Sequence, residues 1–344
     1  MSNEVLFDIK INRTLLPALP QPQLLYVLVD MQVAPGLVAI RLPVNLTLVV
    51  GPPGPDGYHP LLTVFVPIDL HDDLEFELVV GPGAGAGLTV ECSGVDSEAN
   101  LVTRALRALE VETGWGFAGS VRVGKGIPTG AGLGGGSSDG AQALLAGVRI
   151  LEDAGGPRVG EHTLRRLALG LGADVPFFLD PRPALATGVG EVLEPLALPE
   201  LPLVLVMPQE ELSTAEVYST FDGVAACESS RAFVRRAAQA ERSWRELGAA
   251  WASGEVGRLV FRARLAGMLH NDLERASMHL LSGLAPRKAD LHRLGALGSL
   301  MSGSGPSVFG VCASFASAGR IAGALRAEST LARPVRTLAG PAAA

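Results

Sequence analysis

Residues 127–140 read IPTGAGLGGGSSDG, with glycine at 130, 132, 134, 135, 136 and 140 and paired serines at 137 and 138. The stretch follows a strand-like run, GSVRVGKGIP (119–128). It precedes a run of helical period in which Ala141, Leu144, Leu145, Val148 and Leu151 form one stripe. A chain sheds side chains at this density where something must come close to its backbone. Three readings compete. A flexible surface loop is the plain one, but such loops seldom join a strand directly to a strongly periodic helix. Gly130, Gly132 and Gly135 satisfy the dinucleotide spacing GxGxxG. Against that reading, Pro128 interrupts the preceding strand, and no following strand ends in an acid about 20 residues on. The third reading is a phosphate cradle, in which N–H groups bared by glycine stand before a helix N-terminus and no cationic side chain is needed. Ser137 and Ser138 stand where a hydroxyl caps the helix or touches a phosphate or a metal. No GK[ST] follows, so this is not a Walker A loop.

Composition narrows the classes. The chain has 344 residues, 48% of them hydrophobic, enough for one large core or two ordinary domains. A net charge of −7 argues against a nucleic-acid surface, which wants a basic face. Cys92, Cys227 and Cys312 lie far apart without a CxxC pair, which argues against a zinc site or a disulfide framework and for a reducing compartment. The N-terminus carries Glu4 and Asp8 and has no continuous apolar run, so it reads poorly as a secretory signal. No uncharged apolar run approaches the roughly 18 residues of a membrane span. A soluble cytoplasmic protein is expected.

The pattern predicts strands at 24–30, 38–50, 61–70, 72–80 and 87–94, with the last two paired around GPGAGAG. Helices are predicted at 98–110 and within TLRRLALGLGADVPFFL (163–179), the latter ending in a glycine turn. A wholly apolar strand, LPLVLVMP (201–208), opens a second domain. Helices at 231–251 and 256–282 follow, then a strand, glycine turn and strand across GSLMSGSGPSVFGVCA (298–313), and a last helix at 316–327. This is a mixed α+β order rather than a clean βαβαβ series, and it contains no internal repeat.

The longer string IPTGAGLGGGSSDGAQALL resembles the ATP loop of the GHMP kinase superfamily. Other segments are similar to that superfamily in the same order: PDGYHPLLTVF (55–65), LGADVPFFL (171–179), STAEVYSTFD (213–222), NDLE (271–274) and MSGSGPSVFG (301–310). The triple glycine with two serines, and the DGYH motif, look most like the branch acting on a cytidine-diphosphate-linked sugar alcohol. The resemblance covers roughly residues 38–335. It implies a two-domain α+β fold, with a ribosomal S5 domain 2-like N-terminal domain at 38–198 and a ferredoxin-like C-terminal domain at 199–338. Residues 1–37 form an atypical extension.

The implied activity is phosphorylation of the substrate hydroxyl by ATP with Mg²⁺. Pro128, Gly130, Ala131, Gly132, Leu133, Gly134, Gly135, Gly136, Ser137 and Ser138 would cradle the nucleotide. Asp174 aligns with the family's base; on its own it reads as a cap or turn residue. Tyr58 and His59 offer an aromatic face and a donor/acceptor pair suited to cytosine, and Tyr218 is a second candidate for stacking. Asn45 and the turn Ser302, Gly303, Ser304 and Gly305 fall on the substrate side. No metal ligand is assigned. The expected partners are ATP and a small cytidyl molecule, with no nucleic acid and no membrane, in a monomer or homodimer.

One motif departs from the pattern. The family's first motif reads Pro-Ala-Lys-(Ile/Val)-Asn-Leu, whereas this chain reads IRLPVNL at 40–46. Asn45 and Leu46 align, but Pro43 stands where the lysine belongs, or two residues are deleted. The resemblance implies that this lysine stabilises charge near the aspartate. The chain's lysines are Lys10, Lys125 and Lys288, and Arg41 would lie about 7 Å along the strand from the vacant position. Loss of one such group commonly costs about 10²–10³ in turnover, so a weak kinase that keeps its binding is expected. The rival readings are a catalytically dead nucleotide-binding protein and another GHMP small-molecule kinase.

Overall fold

The computed structural model describes residues 27–29, 43–83, 87–92, 97, 99–126, 133–225, 229–327 and 331–340. In chain order the strands are β1 (Val27–Val29), β2 (Pro43–Val50), β3 (Leu61–Pro67), β4 (Asp73–Pro82), β5 (Leu88–Cys92), β6 (Trp115–Gly124), β7 (Ala184–Thr187), β8 (Val192–Pro195), β9 (Pro202–Val206), β10 (His270–Asn271), β11 (Gly298–Met301), β12 (Val308–Val311) and β13 (Ala332–Arg336). The helices are α1 (Leu101–Thr113), α2 (Gly135–Asp153), α3 (Glu161–Leu171), α4 (Thr214–Ala225), α5 (Ser230–Ala252), α6 (Arg258–Ala266), α7 (Glu274–Leu280), α8 (Leu284–Arg293) and α9 (Phe315–Ala327). A 3-10 turn spans Val175–Leu179. The described parts of 27–29, 71–126 and 134–180 form one compact unit, and those of 43–70, 133 and 181–340 form a second.

The first unit is built on a four-stranded sheet of order β1-β4-β6-β5. In β4, Leu74, Phe76, Leu78 and Val80 are buried while Asp73, Glu75 and Glu77 are exposed, the period-2 pattern of a sheet with one covered face. The pairing of 72–80 with 87–94 expected from sequence does not form. β6 lies between them, antiparallel to β4 and parallel to β5. The cause is the connection: parallel neighbours need a crossover, and α1 supplies it between β5 and β6.

Asn100 caps α1 by accepting the Val102 N–H at 2.9 Å, and Gly114 ends the helix in the left-handed region at φ 71°. The cap therefore shifts the helix by three residues from the 98–110 that periodicity predicts. α2 lies close on α1, and a Cβ on Gly147 would come within 2.6 Å of Leu109. Of the predicted α2 stripe, Ala141, Leu144 and Leu151 are buried; Leu145 and Val148 are half-buried.

The second unit holds two sheets, β10-β2-β3-β7-β8 and β11-β12-β9-β13. All eight residues of β2 are buried, which matches its nearly unbroken apolar run, covered on both faces. On one face α5 seals it: the Trp244 indole N–H donates to Thr47 Oγ1 at 2.8 Å. The strand–turn–strand expected across 298–313 is β11 and β12, paired antiparallel. The predicted helix over 256–282 is instead broken into α6, β10 and α7. The break falls at Asn271 and Asp272, whose side chains are taken by remote partners. Asn271 Nδ2 donates to the carbonyls of Met301 and Gly303, and Asp272 accepts from Arg236 and from the Val50 N–H. Those long-range bonds outweigh the local helical pattern.

Candidate active site

In the first unit the described part of the glycine stretch begins at Gly134; of its predicted residues Pro128, Gly130, Ala131 and Gly132 lie outside the described residues, and Leu133 belongs to the second unit. Gly134 adopts φ 72° and is the N-cap of α2, with the Ser138 N–H closing the first helical bond onto its carbonyl at 2.9 Å. Gly135, Gly136 and Ser137 fill the first turn, where amide N–H groups have no partner within the helix. Gly136 is exposed, Gly135 and Ser137 are half-buried, and Ser138 is buried.

Asp174 precedes the 3-10 turn, whose Val175, Pro176, Phe177 and Phe178 are buried, with the two phenyl rings edge to face at 5.4 Å. This apolar anchor sets the turn on the start of α2: a Cβ on Gly134 would stand 3.3 Å from the Phe178 ring. The structure thus brings the turn bearing Asp174 to the start of α2. Asp174 is exposed as a residue, yet its carboxyl is crowded by protein, and desolvation pushes its pKa up.

Beneath the first turn of α2 lies a group that periodicity and spacing did not reveal. Lys125 Nζ donates to Asp72 Oδ2 at 2.5 Å and to Asp139 Oδ2 at 3.2 Å, and Asp72 Oδ1 accepts the Gly126 N–H at 2.8 Å. Both carboxylates are almost wholly buried. Burial pushes the Asp139 carboxyl up to about 7 against the pull of Lys125.

In the second unit His59 Nδ1 lies 2.8 Å from the Gly51 carbonyl. A carbonyl only accepts, so Nδ1 carries a proton there, and Nε2 is the ring's other polar atom. Nε2 is 3.6 Å from Asp222, and the ring lies 4.9 Å from that of Tyr218. Tyr58, next in chain, is 63% exposed, held by an Asx turn from its N–H to Asp56 Oδ1. Asn45 is buried: its N–H donates to Ser302 Oγ, its Nδ2 to Thr63 Oγ1, and its Oδ1 accepts from Ser302 Oγ.

The turn at 302–305 holds left-handed glycines, Gly303 at φ 56° and Gly305 at φ 85°. A Cβ on Gly305 would meet Met301 Sδ at 2.6 Å. Ser304 pairs with Thr214 through the hydroxyls, and its carbonyl accepts from Ser277. Asn271 grips both Met301 and Gly303, while Glu274 accepts the Met301 N–H and is itself held by Lys288 at 2.6 Å. Asn271 and Glu274 lie in the NDLE segment, the only sequence sign of this role. A cavity of about 590 Å³ beside β2 and α5, lined by Arg235, Trp244 and His270 among others, contains none of the predicted residues.

Pro43, which stands in the lysine's place or beside a two-residue deletion, is buried as the first residue of β2 and pairs with Pro67. Lys125 and Lys288 are both committed to carboxylates, so neither described lysine stands in for it. Lys10 and Arg41 lie outside the described residues.

The GHMP kinases N-terminal domain matches residues 100–180 and the GHMP kinases C-terminal domain matches residues 254–329. With this fold and site they define the class, a GHMP-type kinase. The homoserine kinase of Cytophaga hutchinsonii shares the fold at a TM-score of 0.60 and 18% identity, over 90% of this chain and 98% of that one. A crystal structure of 4-(cytidine 5'-diphospho)-2C-methyl-D-erythritol kinase matches at a TM-score of 0.63 and 34% identity, covering 87% of this chain and 98% of that one. The 4-diphosphocytidyl-2-C-methyl-D-erythritol kinase of Pelotomaculum thermopropionicum is 39% identical over 290 residues, 83% of this chain and 92% of its own length. The chain belongs to the 4-diphosphocytidyl-2-C-methyl-D-erythritol kinase family.

Proposed function

We propose that the chain passes the γ-phosphoryl group of ATP to the 2-hydroxyl of 4-diphosphocytidyl-2-C-methyl-D-erythritol, a step of non-mevalonate isoprenoid synthesis. One observation carries the mechanism: the turn bearing Asp174 is seated on the first residues of the helix that follows the glycine stretch. The N–H groups of that first turn hold the phosphates. Asp174 accepts or orients the hydroxyl proton, and its raised pKa makes it the stronger base. Tyr58 and Tyr218 supply aromatic faces for cytosine, and His59, its Nδ1–H fixed on Gly51, accepts from the ring's amino group through Nε2. The turn from Ser302 to Gly305 offers backbone groups to the substrate, held in place by Asn45 and Asn271.

The donors fit Mg²⁺, which takes most of its ligands from phosphate and water and few from protein. The half-buried Ser137, in the first turn of α2, would offer the ion a hydroxyl oxygen. When bound, the ion neutralises charge on the transferred group. Residues 38–198 form the ATP-binding domain in this reading and 199–338 the substrate domain. The supply of ATP and the free thiols of Cys92 and Cys312 suit the cytoplasm; no described helix is long and apolar enough to cross a membrane.

The test is ADP release with the cytidyl alcohol, with homoserine and with mevalonate. Release with the cytidyl alcohol alone supports the reading. Release only with homoserine or mevalonate would assign another GHMP activity. ATP binding without turnover on any of the three would mark a catalytically dead protein.

A further inference from the structure

We infer that Arg236 of α5 and Asp272 are positioning residues for cytosine recognition: they fix the end of β2 so that the Gly51 carbonyl orients the His59 ring. The inference rests on the reading of His59 as a contact to the cytosine base.

Three observations carry it. First, Arg236 and Asp272 hold both main-chain polar groups of Val50, the last residue of β2. Asp272 Oδ2 accepts the Val50 N–H at 2.8 Å, and Arg236 Nη2 donates to the Val50 carbonyl at 3.4 Å. Arg236 Nη1 donates to both Asp272 oxygens at 2.8 Å, which closes the ring of bonds. Burial works against the charge on Asp272, but bonds from His270, Val50 and Arg236 hold its carboxyl below the usual range, so it stays ionised.

Second, the next residue has no slack. A Cβ on Gly51 would lie 2.8 Å from the Phe233 ring and 2.9 Å from Pro60. The Gly51 N–H donates to the Pro60 carbonyl at 2.8 Å. Phe233 stands three residues before Arg236 on α5, so the two share one helix face. That face holds Val50 by charge and Gly51 by contact.

Third, the Gly51 carbonyl is the anchor of His59, whose Nδ1 lies 2.8 Å from it. The bond that one ring nitrogen makes sets the proton and the direction of the other. A displaced Gly51 carbonyl would therefore turn Nε2 away from the atom it reads. Cytosine and uracil differ at C4, where one carries an amino donor and the other a carbonyl acceptor. Misdirection of Nε2 should consequently blunt the choice between these two bases more than it weakens binding of the rest of the nucleotide. Arg236 and Asp272 would act on the base through the backbone and the His59 ring.

The test measures the Kd of CDP and of UDP by calorimetry for the wild-type chain, Arg236→Met, Arg236→Lys, His59→Ala and the double variant Arg236→Met/His59→Ala. Melting temperatures and the Kd of a non-hydrolysable ATP analogue are measured alongside. Arg236→Met is expected to lower the preference for CDP over UDP about tenfold, with the Kd of the ATP analogue within about twofold of wild type. In the His59→Ala background the same change should leave the preference where His59→Ala puts it, because the two residues act in one chain of bonds. Arg236→Lys keeps a charge for Asp272 but loses the fork that also reaches Val50. It should lower the preference about threefold, and it carries the test if Arg236→Met does not fold. An unchanged preference in the folded variants would overturn the inference alone, as would a further loss of preference in the double variant. If the wild-type chain binds CDP no better than UDP, the cytosine reading of His59 falls and the inference falls with it.

Discussion

Pro43 is the buried first residue of β2, in the motif where the resemblance implies a lysine. The resemblance implies that a lysine there stabilises the negative charge that develops during transfer, and preorganised charge of that kind is worth about 10²–10³ in turnover. The described lysines cannot replace it, because each already neutralises a carboxylate. Pro43→Lys is therefore predicted to raise kcat at least about tenfold with little change in the ATP Kd; steady-state ADP release checks it, and no gain would refute this account of the defect. Tyr58 is a second residue-scale case. It is largely exposed and packs little, so Tyr58→Ala should leave the melting temperature within about 1 °C. The KM of the cytidyl substrate should rise about tenfold through lost stacking.

Single residues with a motif around them were legible as candidates: Asp174, His59 and Gly134 each lie in or beside a quoted motif. Asp72, Asp139 and Asn271 were not, because what defines them is a partner far away in sequence. Asp72 meets Lys125 and Gly126 across more than 50 residues. Asn271 meets the carbonyl of Met301 across 30. No local pattern encodes such pairs.

The N-terminal half of α2 carries the prediction that belongs to an element. Asp139 within it keeps its proton up to about pH 7 in the folded chain and would lose it near pH 4 when unfolded. Between those values the folded state binds more protons, so this group's contribution to stability is full below about pH 4. It is lost as pH rises through about 7. Asp139→Asn removes the titration. Urea midpoints at pH 5 and pH 8 should show the wild type losing stability relative to the variant as pH rises; parallel midpoints would contradict the assignment.

Elements with clean periodicity were legible from sequence, α5 within one residue at each end. The misreadings have physical causes. The helix expected at 256–282 breaks because Asn271 and Asp272 bond outward. β4 and β5 are parted because a crossover through α1 slots β6 between them. β7 and β8, four residues each, are too short to show a period, and pairing with β3 creates them.

At the scale of the molecule, the ordered set of motifs was the strongest signal, since several weak patterns at the right separations constrain a chain more than any one does. The division into compact units was less legible. Residues 43–70 precede β4 in sequence but belong to the second unit, because β2 and β3 pair with β7 and β10 rather than with the first unit's sheet. Periodicity reports which face of a strand is buried, not which sheet receives it.

The central claim is that main-chain amides at the start of α2 hold a triphosphate while the Asp174 carboxylate handles the acceptor's proton. Single-turnover phosphorylation of 4-diphosphocytidyl-2-C-methyl-D-erythritol by Asp174→Asn tests it most directly. The account predicts a rate lower by about 10²–10⁴-fold with the ATP Kd unchanged within about twofold. A rate equal to that of the wild type would contradict it.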